Sequence, residues 1–164
     1  MPQWHLKHSN GELYHSQILQ MNIIDAKSLH KAGWEKTFDW TRYLGPDEAS
    51  KPYNLLVIGN SVIQGAIAYY EDVPERHIFV DLLESAPINR HKNQNREFTN
   101  VADVLLGEAC LQSFAAGYHG DVAFYPKTNL YTYYRERFHA HFGGRGMMFL
   151  TDVEAIRLIK LYYK

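Results

Sequence analysis

Apolar runs separated by Gly, Pro and polar clusters predict alternating strands and helices along the whole chain. Strand-like runs, rich in β-branched and aromatic residues, cover residues 14–21, 54–58, 62–70, 77–84, 121–125 and 146–150. Apolar residues at helical spacing predict helices over residues 25–32, 101–114, 130–138 and 151–161. The segment from Trp34 to Trp40 is assigned to neither class, because its aromatic residues have no regular period.

Local signals predict how several of these elements begin and end. Asp25 is expected to cap the first helix, which ends near Gly33, and Gly117 is expected to end the helix from Val101. Gly59-Asn60 predicts a tight hairpin turn between two strands. Thr151-Asp152-Val153-Glu154 has the pattern of a capping box for the last helix.

The order of elements predicts the fold class. A hairpin pairs strands antiparallel, whereas the later strand–helix–strand crossovers pair strands parallel. We therefore expect an α/β (α+β) fold with a central mixed, mostly antiparallel, twisted sheet flanked by helices. A chain of 164 residues is long enough for one domain, so residues 1–164 are expected to form a single domain.

Composition and charge narrow the function classes. Hydrophobic residues make up 46% of the chain and charged residues 21%, which is typical of a globular protein. The net charge of −1 does not favour nucleic-acid binding, and no window is apolar enough for a membrane span. A single cysteine, Cys110, excludes an internal disulfide and a Cys-rich zinc site, and is expected to be a buried apolar residue. We expect a cytoplasmic protein without a metal.

One loop carries candidate chemistry. Residues 89–97 are strongly polar and link the apolar strand 77–84 to the helix that begins near Asn100. A helix N-terminus exposes unpaired N–H groups and favours anions, and Arg90, Lys92 and Arg96 precede it. Phosphate binding is one interpretation of this spacing, and a solvated loop before an ordinary helix is the commoner one.

Several segments in this order resemble the GCN5-related N-acetyltransferase superfamily. Asp81-Leu82-Leu83-Glu84-Ser85-Ala86-Pro87-Ile88-Asn89 is similar to the family's fourth strand, and Phe98 to Leu106 resembles its pyrophosphate loop and following helix. Further similar segments are Leu56-Val57-Ile58, Ile63 to Ala68, Gly120 to Phe124, and Tyr133 to Phe138, which resembles the helix that carries the family's tyrosine.

This resemblance implies acetyl-CoA as the donor and a primary amine, either a small molecule or a protein, as the acceptor. Pantetheine would pair with the strand near Glu84, and the pyrophosphate would bind N–H groups of the loop before the long helix. The residues implied in cofactor binding are Glu84, Ser85, Ala86, Arg96, Glu97, Phe98, Thr99, Asn100, Val101, Ala102 and Lys127. Transfer would be direct, in a ternary complex.

The loop departs from the family pattern at two positions. Asn100 lies where the pattern has Gly, and Glu97 lies where it has Gln or Arg, whereas Ala102 fits. Gly allows close approach of a phosphate, and a carboxylate repels it. A non-catalytic member that binds CoA or another ligand is therefore one alternative, and a protein-interaction module is another. A homodimer is also compatible with the sequence.

Two residues are the candidates for acid–base chemistry under this resemblance. Tyr134 matches the tyrosine that protonates the leaving thiolate, and Glu84 is the preferred group to accept the amine proton. Asp81 or water are the alternatives for that second role. Strand alternation predicts that Asp81 and Glu84, three residues apart, face opposite sides of the sheet.

The aromatic residues Trp34, Phe38, Trp40 and Tyr43 have two interpretations. Under the resemblance they border the acceptor site and wall a pocket for the amine. Alternatively they form a small cluster that covers the sheet, which is the more common arrangement of such residues.

Overall fold

The computed structural model describes residues 1–164 and contains one eight-stranded mixed sheet. The strands are β1 (Trp4–Lys7), β2 (Leu13–Gln20), β3 (Lys51–Val57), β4 (Gly65–Asp72), β5 (His77–Ser85), β6 (Val122–Phe124), β7 (His141–Gly144) and β8 (Met147–Leu150). The helices are α1 (Ile23–Lys31), α2 (Val101–Ala115), α3 (Tyr131–Phe138) and α4 (Asp152–Tyr162). No helix has both the length and the apolar character required to cross a membrane.

The strand order is β1-β2-β3-β4-β5-β6-β8-β7, and every neighbouring pair is antiparallel except β5 and β6. The parallel pair arises because α2 returns the chain to the same edge of the sheet, as a crossover helix does. The predicted mixed, mostly antiparallel sheet is confirmed. The short strands β1 and β7 were not predicted, since four residues give too little alternation to detect.

Helices cover both faces of the sheet. The larger core lies between the sheet and α2 with α4, and includes Leu105, Val122 and Leu158. A second core lies under α1 and a short 3₁₀ helix, Trp40–Leu44, on the other face. The structure buries Trp34, Trp40 and Tyr43 in this second core, which supports the structural interpretation of those aromatic residues.

Three local predictions need correction. Asn22, not Asp25, is the N-cap of α1, and Asp25 completes a reciprocal capping box from the third helical position. The β3–β4 hairpin has a longer connection than a two-residue turn, because β4 begins only at Gly65. The Thr151 hydroxyl donates to the Glu154 carboxylate instead of accepting a backbone N–H, so the predicted capping box at α4 is wrong.

A β-bulge at Asp81 interrupts β5. Ala68 pairs with Leu82 and Tyr69 pairs with Val80, so Asp81 has no partner in β4. An extra residue shifts the side-chain alternation by one. Val80 accordingly packs in the α2-side core and Leu82 in the α1-side core. The expectation that Asp81 and Glu84 face opposite sides is wrong: the Ser50 hydroxyl donates to Asp81, and the Trp40 indole donates to Glu84, both on the α1 side.

Gly107 in the middle of α2 allows the helix to lie directly on Trp4. A methyl group at Gly107 would lie 2.6 Å from Cη2 of Trp4, which is 4% exposed. The indole has little freedom to move, because its Nε1 donates to Glu108 at 2.6 Å. The steric cost of a methyl group against Trp4 should therefore exceed the stability gain of about 1 kcal/mol that replacing Gly with Ala normally brings to a helix.

We expect Gly107→Ala to lower the free energy of unfolding by about 1–3 kcal/mol, measured by urea denaturation. The double variant with Trp4→Phe provides the control, since a phenyl ring lacks the atoms that collide. In that background the Gly107 substitution should cost little or nothing. An equal loss in both backgrounds would show that Trp4 is not the cause.

Candidate functional site

The site is built around a gap between β5 and β6. The two strands pair only at Ile78–Val122, Phe79–Ala123 and Val80–Phe124, after which they diverge. Because β5 continues to Ser85, its residues 81–85 have a backbone edge with no strand beside it. A cavity of about 430 Å³ fills the gap and extends to the N-terminus of α2.

Tyr134 lies at the closed end of the gap. Its ring centroid is 4.9 Å from that of Phe124, the last β6 residue paired with β5. Burial raises the pKa of the Tyr134 phenol, so the hydroxyl stays protonated. The hydroxyl bonds no protein group and is not sealed from solvent, and Tyr134 lines the cavity. A phenol in this position is available as a proton donor to a bound molecule.

Glu84 lies on the α1 side of the cavity, and its carboxylate bonds the 3₁₀ helix and the segment that precedes it. One oxygen accepts a hydrogen bond from Trp40 Nε1 at 2.8 Å, and the other accepts one from the Glu35 backbone N–H at 2.8 Å. Arg90 lies 3.8 Å away. Burial raises the pKa of Glu84, and these donors partly offset that increase. The carboxylate therefore stabilises the wall of the cavity.

The N-terminus of α2 offers unpaired backbone amides to the cavity. The N–H groups of Val101 and Ala102, two residues that line the cavity, have no acceptor in the protein. In contrast, the Phe98 N–H donates to Asn89 Oδ1 and the Thr99 N–H donates to the Lys7 carbonyl, both at 2.9 Å. Within the predicted anion cradle over residues 97–102, the Phe98 and Thr99 amides are therefore bonded to the protein, whereas the Val101 and Ala102 amides are free at the cavity.

The Asn100 side chain turns away from this cradle. Its Oδ1 accepts from the Lys7 N–H at 2.7 Å, and its Nδ2 donates to the His5 carbonyl at 3.0 Å. The residue has φ of −127°, outside the left-handed region that requires glycine. Asn100 therefore anchors the start of α2 to β1 and leaves the amides open.

Basic residues line the cavity near the N-terminus of α2. Arg90, Lys92 and Arg96 line it, while Glu97 is exposed and does not. The Asp103 carboxylate also lines the cavity, and Arg137 neutralises it at 3.0 Å. The rim is therefore cationic next to the free amides.

The opposite rim is formed by residues that follow α1 and β6. Phe38 and Glu35 come from the first segment, and the Lys127 Nζ lies 4.6 Å from the centroid of the Phe38 ring. This contact bridges the two sides of the gap on the α1 face.

The similarity of this chain to known proteins is found in their structures and not in their sequences. No family model and no curated relative matches the sequence. A probable acetyltransferase of the GNAT family from Chromobacterium violaceum is 13% identical, with a TM-score of 0.63 over 94% of this chain and 89% of that chain. AtaTR bound with AcCoA is 11% identical, with a TM-score of 0.59 over 88% and 98%. Mutant forms of the spermidine/spermine N-acetyltransferase SpeG from Vibrio cholerae are 11% identical, with a TM-score of 0.56 over 87% and 96%.

The chain has the GCN5-related N-acetyltransferase fold.

Within this fold, the structure brings most of the predicted site residues to one cavity and leaves four outside it. Those that line the cavity are Glu84, Ser85, Arg96, Thr99, Val101, Ala102, Lys127 and Tyr134. Those that do not are Ala86, Glu97, Phe98 and Asn100. Three of these four residues, Ala86, Phe98 and Asn100, are buried and have a structural role.

Sequence reasoning missed Tyr133, Tyr125 and Asp103 as cavity residues of this N-acetyltransferase fold. Tyr133 stacks on His91 with ring centroids 4.4 Å apart, which links α3 to the basic loop. Its position next to Tyr134 was the available signal. The sequence gives no comparable signal for Asp103, because an acidic residue in the first turn of a helix is a common stabilising feature.

Proposed function

We propose that the protein is an N-acetyltransferase that moves an acetyl group from acetyl-CoA to a primary amine by direct transfer in a ternary complex. The observation that carries this proposal is the gap between β5 and β6. It is closed at one end by the Tyr134 hydroxyl and open at the other to the free amides of α2. A linear, polyanionic acyl carrier matches that shape.

The residues present fit acetyl-CoA. The free edge of β5 at residues 81–85 can accept and donate amide hydrogen bonds with the pantetheine arm, as an added strand would. The amides of Val101 and Ala102 and the side chains of Arg90, Lys92 and Arg96 would hold the diphosphate. The Asn100 departure from the family pattern does not obstruct this arrangement, since its side chain bonds β1.

The chemistry follows from where the acetyl group would lie. Acetyl-CoA supplies an activated thioester, and the protein holds it beside the amine so that attack becomes effectively intramolecular. Backbone N–H groups on β5 would polarise the acyl carbonyl, and Tyr134 would protonate the thiolate. Glu84 remains the sequence-based prediction for the amine proton, although both of its oxygens already accept hydrogen bonds.

The nature of the amine is open to direct test. SpeG is named for spermidine and spermine, and this chain shares its fold at 11% identity. The panel of acceptors should therefore contain a polyamine beside an aminoglycoside, a peptide N-terminus and a peptide lysine. Release of free CoA thiol, measured with each acceptor, reports transfer.

Calorimetric titration with acetyl-CoA tests the donor site separately from turnover. We expect saturable binding that Arg96→Gln weakens by about tenfold or more, because a charge-assisted hydrogen bond contributes about 1.5 kcal/mol or more. Lys160→Gln, on the exposed part of α4, is the matched control and should bind normally. Absence of binding at millimolar acetyl-CoA would contradict the proposal. Binding without transfer to any amine would support a non-catalytic ligand-binding protein instead.

A further inference from the structure

We infer that Asp81, at the bulge in β5, is the catalytic residue that accepts the amine proton. This inference rests on the proposed acetyl transfer and assigns one step of it. It differs from the sequence-based prediction, which placed that step on Glu84. Four structural observations carry it: position along the strand, depth in the gap relative to Tyr134, side of the sheet, and available hydrogen-bonding capacity.

Asp81 lies at the point where the gap begins. Val80 and Phe124 are the last paired residues of β5 and β6, and Asp81 is the next residue of β5. Glu84 lies three residues further along, about 10 Å at the usual rise of a strand. The two carboxylates therefore mark different depths of the cavity.

Tyr134 fixes the depth at which the thioester would react. Its ring packs on Phe124, so its hydroxyl belongs to the closed end of the gap. The leaving sulfur and the attacking nitrogen bond the same carbon during transfer, so their proton donor and acceptor must lie close together. Asp81 satisfies this requirement better than Glu84.

Asp81 is exposed and lies on the side of the sheet opposite Tyr134. The bulge turns its carboxylate to the α1 side, where it accepts from the Ser50 hydroxyl and lies within electrostatic range of Tyr43. Tyr134 belongs to the core on the opposite, α2 side. A thioester in the gap would thus have the base on one side and the acid on the other, so that the attacking nitrogen and the leaving sulfur could each contact one of them.

The hydrogen-bonding capacity of the two carboxylates points the same way. One oxygen of Asp81 accepts from Ser50, and the other has no protein partner although Asp81 lines the cavity. Both oxygens of Glu84 accept from donors that hold the wall in place, and Arg90 adds a positive charge nearby. Asp81 therefore has an oxygen free to receive a proton, whereas each oxygen of Glu84 already accepts a structural hydrogen bond.

A proton transfer accompanies each change of bonding at the acetyl carbon. The lone pair of the neutral amine forms the C–N bond to the acetyl carbon, and the nitrogen proton, which becomes acidic as this bond forms, passes to the unpaired oxygen of Asp81. The C–S bond then breaks, and the thiolate takes the proton of the Tyr134 hydroxyl. The products are the N-acetyl amine and CoA thiol, and solvent returns the two residues to their starting states.

Asp81→Asn is the primary variant, since it keeps a group that can bond Ser50 but removes the base. We expect turnover with the best acceptor to fall by about 10²-fold or more, with acetyl-CoA affinity and thermal stability close to wild type. Asp81→Ala should recover part of its turnover when formate is added, because a small external carboxylate can occupy the vacated space. Formate should leave wild-type turnover unchanged.

Glu84→Gln separates the two assignments. A large fall in turnover confined to this variant, measured on folded protein, would assign the proton to Glu84 and overturn the inference. Wild-type turnover in Asp81→Asn, or no formate response in a folded Asp81→Ala, would also overturn it while leaving acetyl transfer intact. A wild-type protein that binds acetyl-CoA but acetylates no amine would refute both the inference and the proposed function.

Discussion

Tyr134→Phe should lower turnover by about 10²-fold or more while leaving acetyl-CoA affinity and protein stability nearly unchanged. The ring would stay on Phe124 and Phe138, because the substitution removes only the hydroxyl. Buried tyrosines usually bond through that hydroxyl, and its removal then destabilises the protein. Here it bonds no protein group, so the structure predicts a loss confined to the chemical step.

Steady-state thiol release, calorimetry with acetyl-CoA and thermal melting together test this prediction. The matched control is Tyr133→Phe, on the neighbouring residue of α3, which also lines the cavity and keeps its stack on His91. We expect a much smaller effect on turnover there. Equal turnover in Tyr134→Phe and wild type would remove the tyrosine from the mechanism, and a large loss in Tyr133→Phe would transfer the role to its neighbour.

Glu84→Ala should lower the free energy of unfolding by about 2–4 kcal/mol. The substitution leaves the Trp40 indole N–H and the Glu35 backbone N–H without their acceptor, and Trp40 is 1% exposed. A buried donor without a partner costs its full desolvation penalty. Urea denaturation measures the loss, which should be accompanied by greater proteolytic sensitivity in residues 34–40.

A double-variant cycle with Trp40→Phe isolates the Glu84–Trp40 bond. Since Phe has no indole N–H to leave unpaired, the Glu84→Ala substitution should cost less in that background. Additive losses would show that the bond contributes nothing specific.

The Glu84→Gln variant tests the effect of the charge on stability. Burial raises the pKa of Glu84 in the folded state, so the unfolded chain ionises first as pH rises above the ordinary value. Wild-type stability should therefore fall relative to Glu84→Gln over that range.

The local elements could be predicted from the sequence because each follows from neighbouring residues. The apolar spacing of Val101, Val104 and Leu105 set α2 almost to its observed bounds, and Gly117 follows its end with φ of +86°. The apolar run at residues 77–84 matches β5 to within one residue. Side-chain periodicity is enough here, because burial of one face decides the conformation.

The site was only partly predictable, because its details depend on contacts between distant segments. From the sequence alone, Asn100 is a departure from the expected glycine of a phosphate loop. The structure shows that its side chain makes two hydrogen bonds to β1, more than ninety residues away in sequence. The role of Glu84 as an anchor likewise depends on Trp40, in a segment with no regular pattern. Neither partner could be deduced from local spacing.

The sequence by itself determined the order of elements, the mixed sheet and the two residues, Tyr134 and Glu84, that meet at one cavity. Tertiary structure alone decided which carboxylate of the cavity has an oxygen without a protein partner. The physical reason is the bulge at Asp81, where pairing between β4 and β5 slips by one residue and turns a side chain to the other face. Periodicity describes a strand as regular, whereas the partner strand determines where that regularity breaks.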